Sequence, residues 1–317
     1  MQDNDCIIPD VPVGLLPSGA MKKGLVSFLF FVGMSFSVFA QEDYTWWNTI
    51  HHWDGVTPWN QYLTVSPAFF GPNALPVPDI RSGVPDSLYR FEIMTGVHAS
   101  PGDHTVDGSL TVVAPFCDGK ITLEAFVVPL EFYCMDTLTR DVRAVRDQDG
   151  RGRAGGDIYF STNIALLKDH PVYPDIALEI ALRTASGTQL GAARYTDAPG
   201  YYMDLSFGKS YSINEAYKLR GYVMSGFYSY QTYDLQQLQN DCFLYGAGVD
   251  VSSTHFRWSN QLGGYVGYRH DGDAPLVFRS LFRFECKLID WLLDFQVGGH
   301  DYAYRSVHAG LSWKLRP

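Results

Sequence analysis

The chain has 317 residues, of which 18% are charged and 15% aromatic, and its formal net charge at pH 7 is −10. Because phosphate binding needs clustered Lys and Arg, this acidic balance excludes a nucleic-acid partner. After the N-terminal region no apolar run approaches the roughly 18 residues of a transmembrane helix, which excludes a helical membrane bundle. The five cysteines show neither metal-ligand spacing nor a dense disulfide pattern, and we expect no cofactor.

The N-terminal region has the form of a secretory signal peptide. A lysine pair precedes an apolar run that ends at Ala40, which predicts a signal peptide over residues 21–40 and a mature chain that begins at Gln41. A membrane anchor is the alternative, but the run is short and Asp43 follows at once. Residues 1–20 lack targeting character, so we interpret them as an upstream segment outside the native protein.

Within residues 41–86 only the stretch 62–70 has an extended pattern, and Pro67 interrupts it. Residues 41–86 are rich first in tryptophan and then in proline, at Trp46, Trp47, Trp53, Trp59, Pro67, Pro72, Pro76, Pro78 and Pro85. Proline disfavours a central strand because it cannot donate to a ladder. We interpret this stretch as an irregular N-terminal extension that is either periplasmic or packed inside a lumen.

From residue 87 to the C-terminus the chain breaks into segments in which apolar and polar residues alternate. In the last segment Val307, Leu311 and Trp313 share one face, whereas His308 and Ser312 share the other. The segments match the 9–11 residues of a tilted membrane strand rather than the five or six of a soluble one. The twelve segments are 87–99, 105–116, 120–134, 156–168, 175–186, 201–210, 218–230, 242–253, 255–269, 275–287, 290–301 and 303–316.

These segments predict an all-β fold, an antiparallel transmembrane β-barrel of about twelve strands over residues 87–317, with fourteen as the alternative. Its outer face would contact outer-membrane lipid. With the C-terminus on the periplasmic side of the membrane, the longer connections at 135–155, 187–200 and 231–241 lie on the outer side. The tight turn at 117–120 then lies on the periplasmic side. A soluble β-sandwich also alternates, but its strands are usually shorter.

Charged residues on the polar faces are the candidate lumen lining. They are Arg90, Glu92, Glu124, Asp157, Glu179, Arg183, Asp204, Arg220, Asp250, Arg257, Arg279, Arg283, Glu285 and Asp294. Mixed signs are typical either of ion pairs that fill a narrow barrel or of a polar path for a small solute. No ring of a single sign is present, so an ion-selective pore is not indicated.

The sequence offers little support for an enzyme or a metal site. Barrel hydrolases place His and Ser two residues apart on one strand, whereas His308 and Ser312 are separated by about 13 Å of strand rise. Residues 147–152 resemble the start of a calcium loop, but they lack its later acidic ligands and carry neighbouring arginines. We interpret His51 and His52 as exposed polar residues between aromatic ones rather than as a pair of metal ligands. We expect no catalytic or metal site.

Two stretches resemble known families. The C-terminal residues His308, Gly310, Trp313 and Leu315 fit the signal read by the bacterial barrel-assembly machinery, although the chain ends in Arg-Pro rather than an aromatic residue. Residues 70–78 together with 155–159 resemble an uncharacterised family of Gram-negative outer-membrane proteins, which is distantly similar to the transporters of the MetA phenol-degradation pathway. The resemblance implies the cell outer membrane as location, the assembly machinery as partner and transport as activity.

The sequence therefore predicts a channel or facilitator for an unidentified small solute. A structural or interaction barrel with a plugged, ion-paired lumen is one alternative. A lipid-modifying barrel hydrolase is the other.

Overall fold

A computed structural model describes residues 43–315, and twelve antiparallel strands in this part of the chain close into one barrel. The wall strands are β1 (Tyr89–Ser100), β2 (Asp103–Phe116), β3 (Ile121–Met135), β5 (Tyr159–Leu167), β6 (Asp175–Arg183), β7 (Gly200–Ser212), β8 (Lys218–Gln231), β9 (Gln239–Ser252), β10 (Phe256–Val266), β11 (Leu276–Phe284), β12 (Ile289–His300) and β13 (Arg305–Leu315). The barrel closes where β1 pairs with β13, with Tyr89 opposite Leu315. The prediction of an all-β, twelve-stranded barrel is confirmed. The predicted signal peptide, its cleavage after Ala40 and the upstream segment lie outside the described residues.

One short strand was not predicted. Strand β4 (Arg151–Ala154) pairs with the end of β3, with Arg151 opposite Cys134, in a region where the pattern predicts only a connection. Three of its four residues are exposed, so no alternation of buried and exposed positions marks it in the sequence. It extends the barrel wall outward without adding a strand to the closed ring.

Helices are few and short in the described residues. They are α1 (Thr45–Ile50), α2 (Thr137–Val142) and two 3₁₀ helices, Trp59–Tyr62 and Leu190–Ala192. None of the helices in residues 43–315 has the length and hydropathy needed to cross a membrane.

The alternation in the sequence matches the two faces of the wall. On β6, Ile180 and Leu182 are 48% and 51% exposed on the outer face, while Glu179 and Arg183 are each 1% exposed on the inner face. On the outer face of neighbouring strands Trp258 stacks on Phe282 with ring centroids 5.5 Å apart. A strand with an apolar outer face and a polar inner face is what a barrel in lipid requires.

The two ends of the barrel differ in the length of their connections. The turn end, where the C-terminus lies, carries the connections 117–120, 168–174, 213–217, 253–255 and 285–288, none of which is longer than 168–174. The loop end carries 101–102, 136–158, 184–199, 232–238, 267–275 and 301–304. The predicted tight turn at 117–120 is left-handed, with φ of 51° at Cys117 and 56° at Asp118. Gly119 also has a positive φ, of 73°, and the connection leaves four residues between the paired Phe116 and Ile121.

The N-terminal extension crosses the barrel from one end to the other. Residues 43–62, here called the cap, pack over the loop end, where the indole of Trp47 donates to the carbonyl of Ala144 at 3.0 Å. Residues 63–86, here called the plug, then descend through the lumen. The plug meets the loop end first, where Gly71 donates to Ala193, and reaches the turn end at Asp86, just before β1 begins.

Candidate functional site

The upper part of the plug is held by polar contacts with the barrel wall. The amide of Asn73 donates to Asp107 (Nδ2–Oδ2 2.6 Å) and to Glu131 (Nδ2–Oε2 2.9 Å). The hydroxyl of Tyr302 donates to the carbonyl of Pro72 at 3.0 Å. Because Asn73 bridges carboxylates on two different strands, it fixes the height of the plug in the lumen.

Wall side chains also donate hydrogen bonds to the backbone of the plug. The donor and acceptor pairs are Arg183 with Ala74 (2.5 Å), Tyr265 with Leu75 (2.9 Å) and Arg279 with Pro78 (3.2 Å). A proline-rich segment forms no ladder of its own, so its buried carbonyls need partners from elsewhere. The arginines and tyrosines of the wall supply those partners.

The lower part of the plug is held by ion pairs. Arg81 binds Glu179 with two nitrogens, at 2.7 Å and 2.6 Å, and reaches Glu124 at 3.2 Å. Asp86 accepts from Nε of Arg90 at 2.8 Å. Asp79 lies 3.1 Å from Arg279, so the plug brings one cation and two anions to wall groups of opposite charge.

A buried charged network joins two arginines of the loop-end connections to the barrel wall. Asp103 accepts from Arg143 (2.6 Å), Arg194 (2.8 Å) and Tyr304 (2.6 Å), and Arg194 also donates to Glu131 at 2.7 Å. Asp103 and Arg194 are fully buried. Removal of one partner from such a network leaves an uncompensated buried charge, which is strongly destabilising. This network therefore ties the loop-end connections to the wall.

The cap is joined to the loops by cation–π contacts. The guanidinium of Arg146 lies 3.5 Å from the ring centre of Tyr44 and 5.2 Å from that of Trp59, and Arg140 lies 4.3 Å from that of Trp46. The tryptophan cluster of the N-terminal extension thus packs on loop arginines. Next to it, the ring of His51 packs on Trp47, and burial lowers the pKa of His51.

A cavity of about 780 Å³ remains between the plug and the wall. Most of the predicted lumen-lining charges border it, namely Arg90, Glu92, Glu124, Arg220, Asp250, Arg257, Arg279, Arg283, Glu285 and Asp294. Apolar side chains such as Met94, Leu281 and Leu292 share the lining. Most of these charges are paired within the wall, as in the contact of Arg283 with Glu92 at 2.9 Å. The cavity is therefore polar but carries no excess of one sign.

The other predicted lining residues lie away from the cavity. Glu179, Arg183 and Asp204 are 1 to 2% exposed on the inner wall. Asp157 lies between β4 and β5 rather than on a wall strand, where its Oδ1 accepts from the backbone amide of Gly187 at 2.6 Å. It lies two residues before β5 begins at Tyr159.

The residues of the assembly-signal motif divide between the two faces of β13. Leu315 is 52% exposed on the outer face, and Trp313 contacts Phe91 there with ring centroids 6.0 Å apart. On the inner face Nδ1 of His308 lies 3.0 Å from Asp294. Gly310 leaves room for the side chain of Met94.

A second histidine, His98 on β1, forms a chain of contacts. Ser100 follows it two residues later, which is the His and Ser spacing of barrel hydrolases, and both side chains are buried. Nε2 of His98 lies 2.9 Å from Asp107, and its Nδ1 lies 2.8 Å from the hydroxyl of Ser306. The order of acid, imidazole and hydroxyl is that of a hydrolase triad. His98 and Ser306 are only 2% and 3% exposed, however, so the hydroxyl has no access to a substrate. Its geometry fits internal packing rather than catalysis.

Two plug residues that bind the plug to the wall were not predicted from the sequence. Asn73 and Arg81 lie in a stretch without periodicity, so no face could be assigned to them. The only signal in the sequence is that these polar side chains stand within a proline-rich run. Their partners Glu131 and Glu179 are 58 and 98 residues distant in the chain.

No protein-family model and no curated protein matches this chain. Among solved structures, an outer-membrane channel from Pseudomonas putida F1 has a TM-score of 0.52 at 10% identity, over 77% of this chain and 97% of the other. The KdgM porin has a TM-score of 0.44 at 8% identity, over 71% of this chain and 99% of the other. At these identities the likeness concerns the fold, which this chain shares with an outer-membrane channel.

Proposed function

We propose that this protein is an outer-membrane channel or facilitator for a small solute, and that its N-terminal plug controls the lumen. The observation that carries the proposal is the plug itself. The lumen is crossed by a separate segment that leaves a cavity of about 780 Å³ beside it. A ring of twelve strands is wider than the barrels of about eight strands whose interior wall side chains can fill, so its lumen has room for both the plug and a path beside it.

The outer face supports the membrane location. Large apolar side chains are exposed around the wall, among them Leu123, Phe160, Val223, Phe243 and Trp291. Such a belt is costly in water and favourable in hydrocarbon. Cleavage of the signal peptide after Ala40, recognition by the assembly machinery and similarity to the MetA-pathway transporters stay predictions.

The contacts of the plug support control of the lumen. In the described residues the contacts between plug and wall are hydrogen bonds, ion pairs and packing, and several of them use the plug backbone. Such contacts can exchange for water, so the plug can leave the lumen without rupture of the barrel. The wall strands keep their own ladder throughout.

The test is electrical. A variant that lacks residues 43–86 is expected to conduct several-fold more than the full chain in planar bilayers, because the plug occupies the path. It should retain the heat-modifiable gel shift of a folded barrel. A variant that lacks only residues 43–62 is the matched control, and its conductance should stay closer to that of the full chain.

The second candidate function is a structural or interaction barrel, which the buried network around Asp103 favours. In that case the folded deletion variant would remain silent in bilayers. Silence of a folded variant that lacks the plug would therefore contradict the channel and support the structural barrel.

A further inference from the structure

Three carboxylates converge on one part of the inner wall with a single cation between them. Glu179 on β6 and Asp204 on β7 are direct cross-strand partners. Glu124 on β3 reaches the same place, since the guanidinium of Arg81 binds both Glu124 and Glu179. These three carboxylates, here called the acidic pocket, bear three formal negative charges against one positive charge.

The acidic pocket has acceptor atoms that Arg81 does not use. Asp204 is 2% exposed, and neither of its carboxylate oxygens has a hydrogen-bond partner. The side-chain oxygen of Asn163, which lies opposite Glu179 across β5 and β6, is also buried without a partner. A buried acceptor without a donor is costly, so a pocket with several of them is suited to a ligand that brings donors.

The cation in the acidic pocket comes from the plug and not from the wall. Arg81 is partly exposed, and together with Glu124 and Asn163 it borders the cavity beside the plug. The next plug residue, Ser82, is held separately, because its carbonyl accepts from Arg220 at 2.9 Å. Withdrawal of the plug would leave the carboxylates in place on the wall, open to the cavity and without their cation.

We propose that the acidic pocket binds the guanidinium or ammonium group of a cationic solute, and that Arg81 occupies it as a tethered substitute when the plug is in place. Guanidinium groups match carboxylates in two-point geometry, as Arg81 does with Glu179. This inference rests on the proposed function, since it names the class of solute. Its site is the part of the lumen where the plug competes with that solute.

The experiment measures binding of agmatine, which carries one guanidinium and one ammonium group. In calorimetric titrations of the full chain in detergent, Arg81→Gln is expected to bind agmatine at least tenfold more tightly than the unchanged protein. Addition of Glu179→Gln to Arg81→Gln should remove that gain. Arg220→Gln is the matched control, because it disturbs a neighbouring plug contact without uncovering the acidic pocket, and it should show no gain.

Folding of each variant is checked by the heat-modifiable gel shift. Arg81→Lys keeps a cation in the pocket and should bind agmatine as weakly as the unchanged protein. If Arg81→Gln does not fold, the variant without residues 43–86 takes its place, again compared with and without Glu179→Gln. A folded variant with an uncovered pocket that binds agmatine no better than the unchanged protein would overturn the inference.

Failure of the cation site and failure of the channel give different results. Agmatine binding by an uncovered pocket in a barrel that never conducts would retain the cation site and refute the channel. A barrel that conducts after loss of the plug, but whose agmatine affinity does not depend on Glu179, would retain the channel and refute the cation site.

Discussion

Phe282 and Arg283 are adjacent in the chain and face opposite environments. Phe282 stacks on Trp258 on the outer face, with ring centroids 5.5 Å apart. Arg283 points into the lumen, where it donates to Glu92 at 2.9 Å and lies 3.6 Å from Asp290. The register of β11 therefore decides which of the two side chains tolerates a change of charge.

We expect Phe282→Arg to impair folding into liposomes far more than Arg283→Gln. A cation on the lipid face costs up to about 2–4 kcal/mol, depending on its depth. Loss of Arg283 leaves Asp290 with Arg90 and Lys314 as partners, so the smaller effect has a structural reason. The folded fraction is read from the heat-modifiable gel shift, and the reverse ranking would show that the register is wrong.

At the scale of elements, the plug is seated against a flat part of the wall. Gly246 on β9 and Gly263 on β10 are cross-strand partners, and Ile80 of the plug packs over both. Ile80 also exchanges backbone hydrogen bonds with the side chain of Gln261, at 3.2 Å and 3.1 Å. The paired glycines allow this close approach, since an added side chain at Gly246 would overlap Ile80.

Gly246→Val is therefore expected to displace the plug and raise bilayer conductance while the barrel stays folded. Gly221→Val is the matched control on the neighbouring strand, because a side chain there meets open space, and it should leave conductance unchanged. Addition of Ile80→Ala to Gly246→Val should restore low conductance by returning the space. Equal conductance in both valine variants would argue that the plug is not seated on this surface.

At the scale of the whole molecule, the chain enters the barrel from the loop end. The cap lies over the loops, the plug runs through the lumen and β1 begins at the turn end. In outer-membrane barrels short turns face the periplasm and longer loops face outward. The cap should therefore be exposed at the cell surface, although the signal peptide would first deliver it to the periplasm.

Cysteine labelling in intact cells tests this topology. Val56 in the cap is 85% exposed, so Val56→Cys should react with a membrane-impermeant maleimide before the cells are broken. Cys117 and Cys286, free and exposed at the turn end, are internal controls that should react only after disruption. Peptide mapping identifies the labelled positions. Reaction of Cys117 and Cys286 in intact cells, with residue 56 protected, would show the opposite orientation.

The barrel wall was determined by the sequence alone. In a strand between lipid and a polar lumen, apolar and polar residues must alternate, so the face of residues such as Ile180 and Glu179 can be inferred from their immediate neighbours in the sequence. The predicted segments agree with the wall strands to within a few residues at most boundaries. Strand β4 was not predicted because its four residues are mostly exposed and show no alternation.

The path of the plug and the partner of each charge were decided only by the tertiary structure. The proline-rich segment has no period, and its shape depends on donors that the folded barrel brings to it. Arg183 binds Ala74 across 109 positions in the chain, and Arg81 meets Glu179 across 98. Local patterns determine which way a strand residue faces, whereas closure of the barrel determines which distant groups meet inside it.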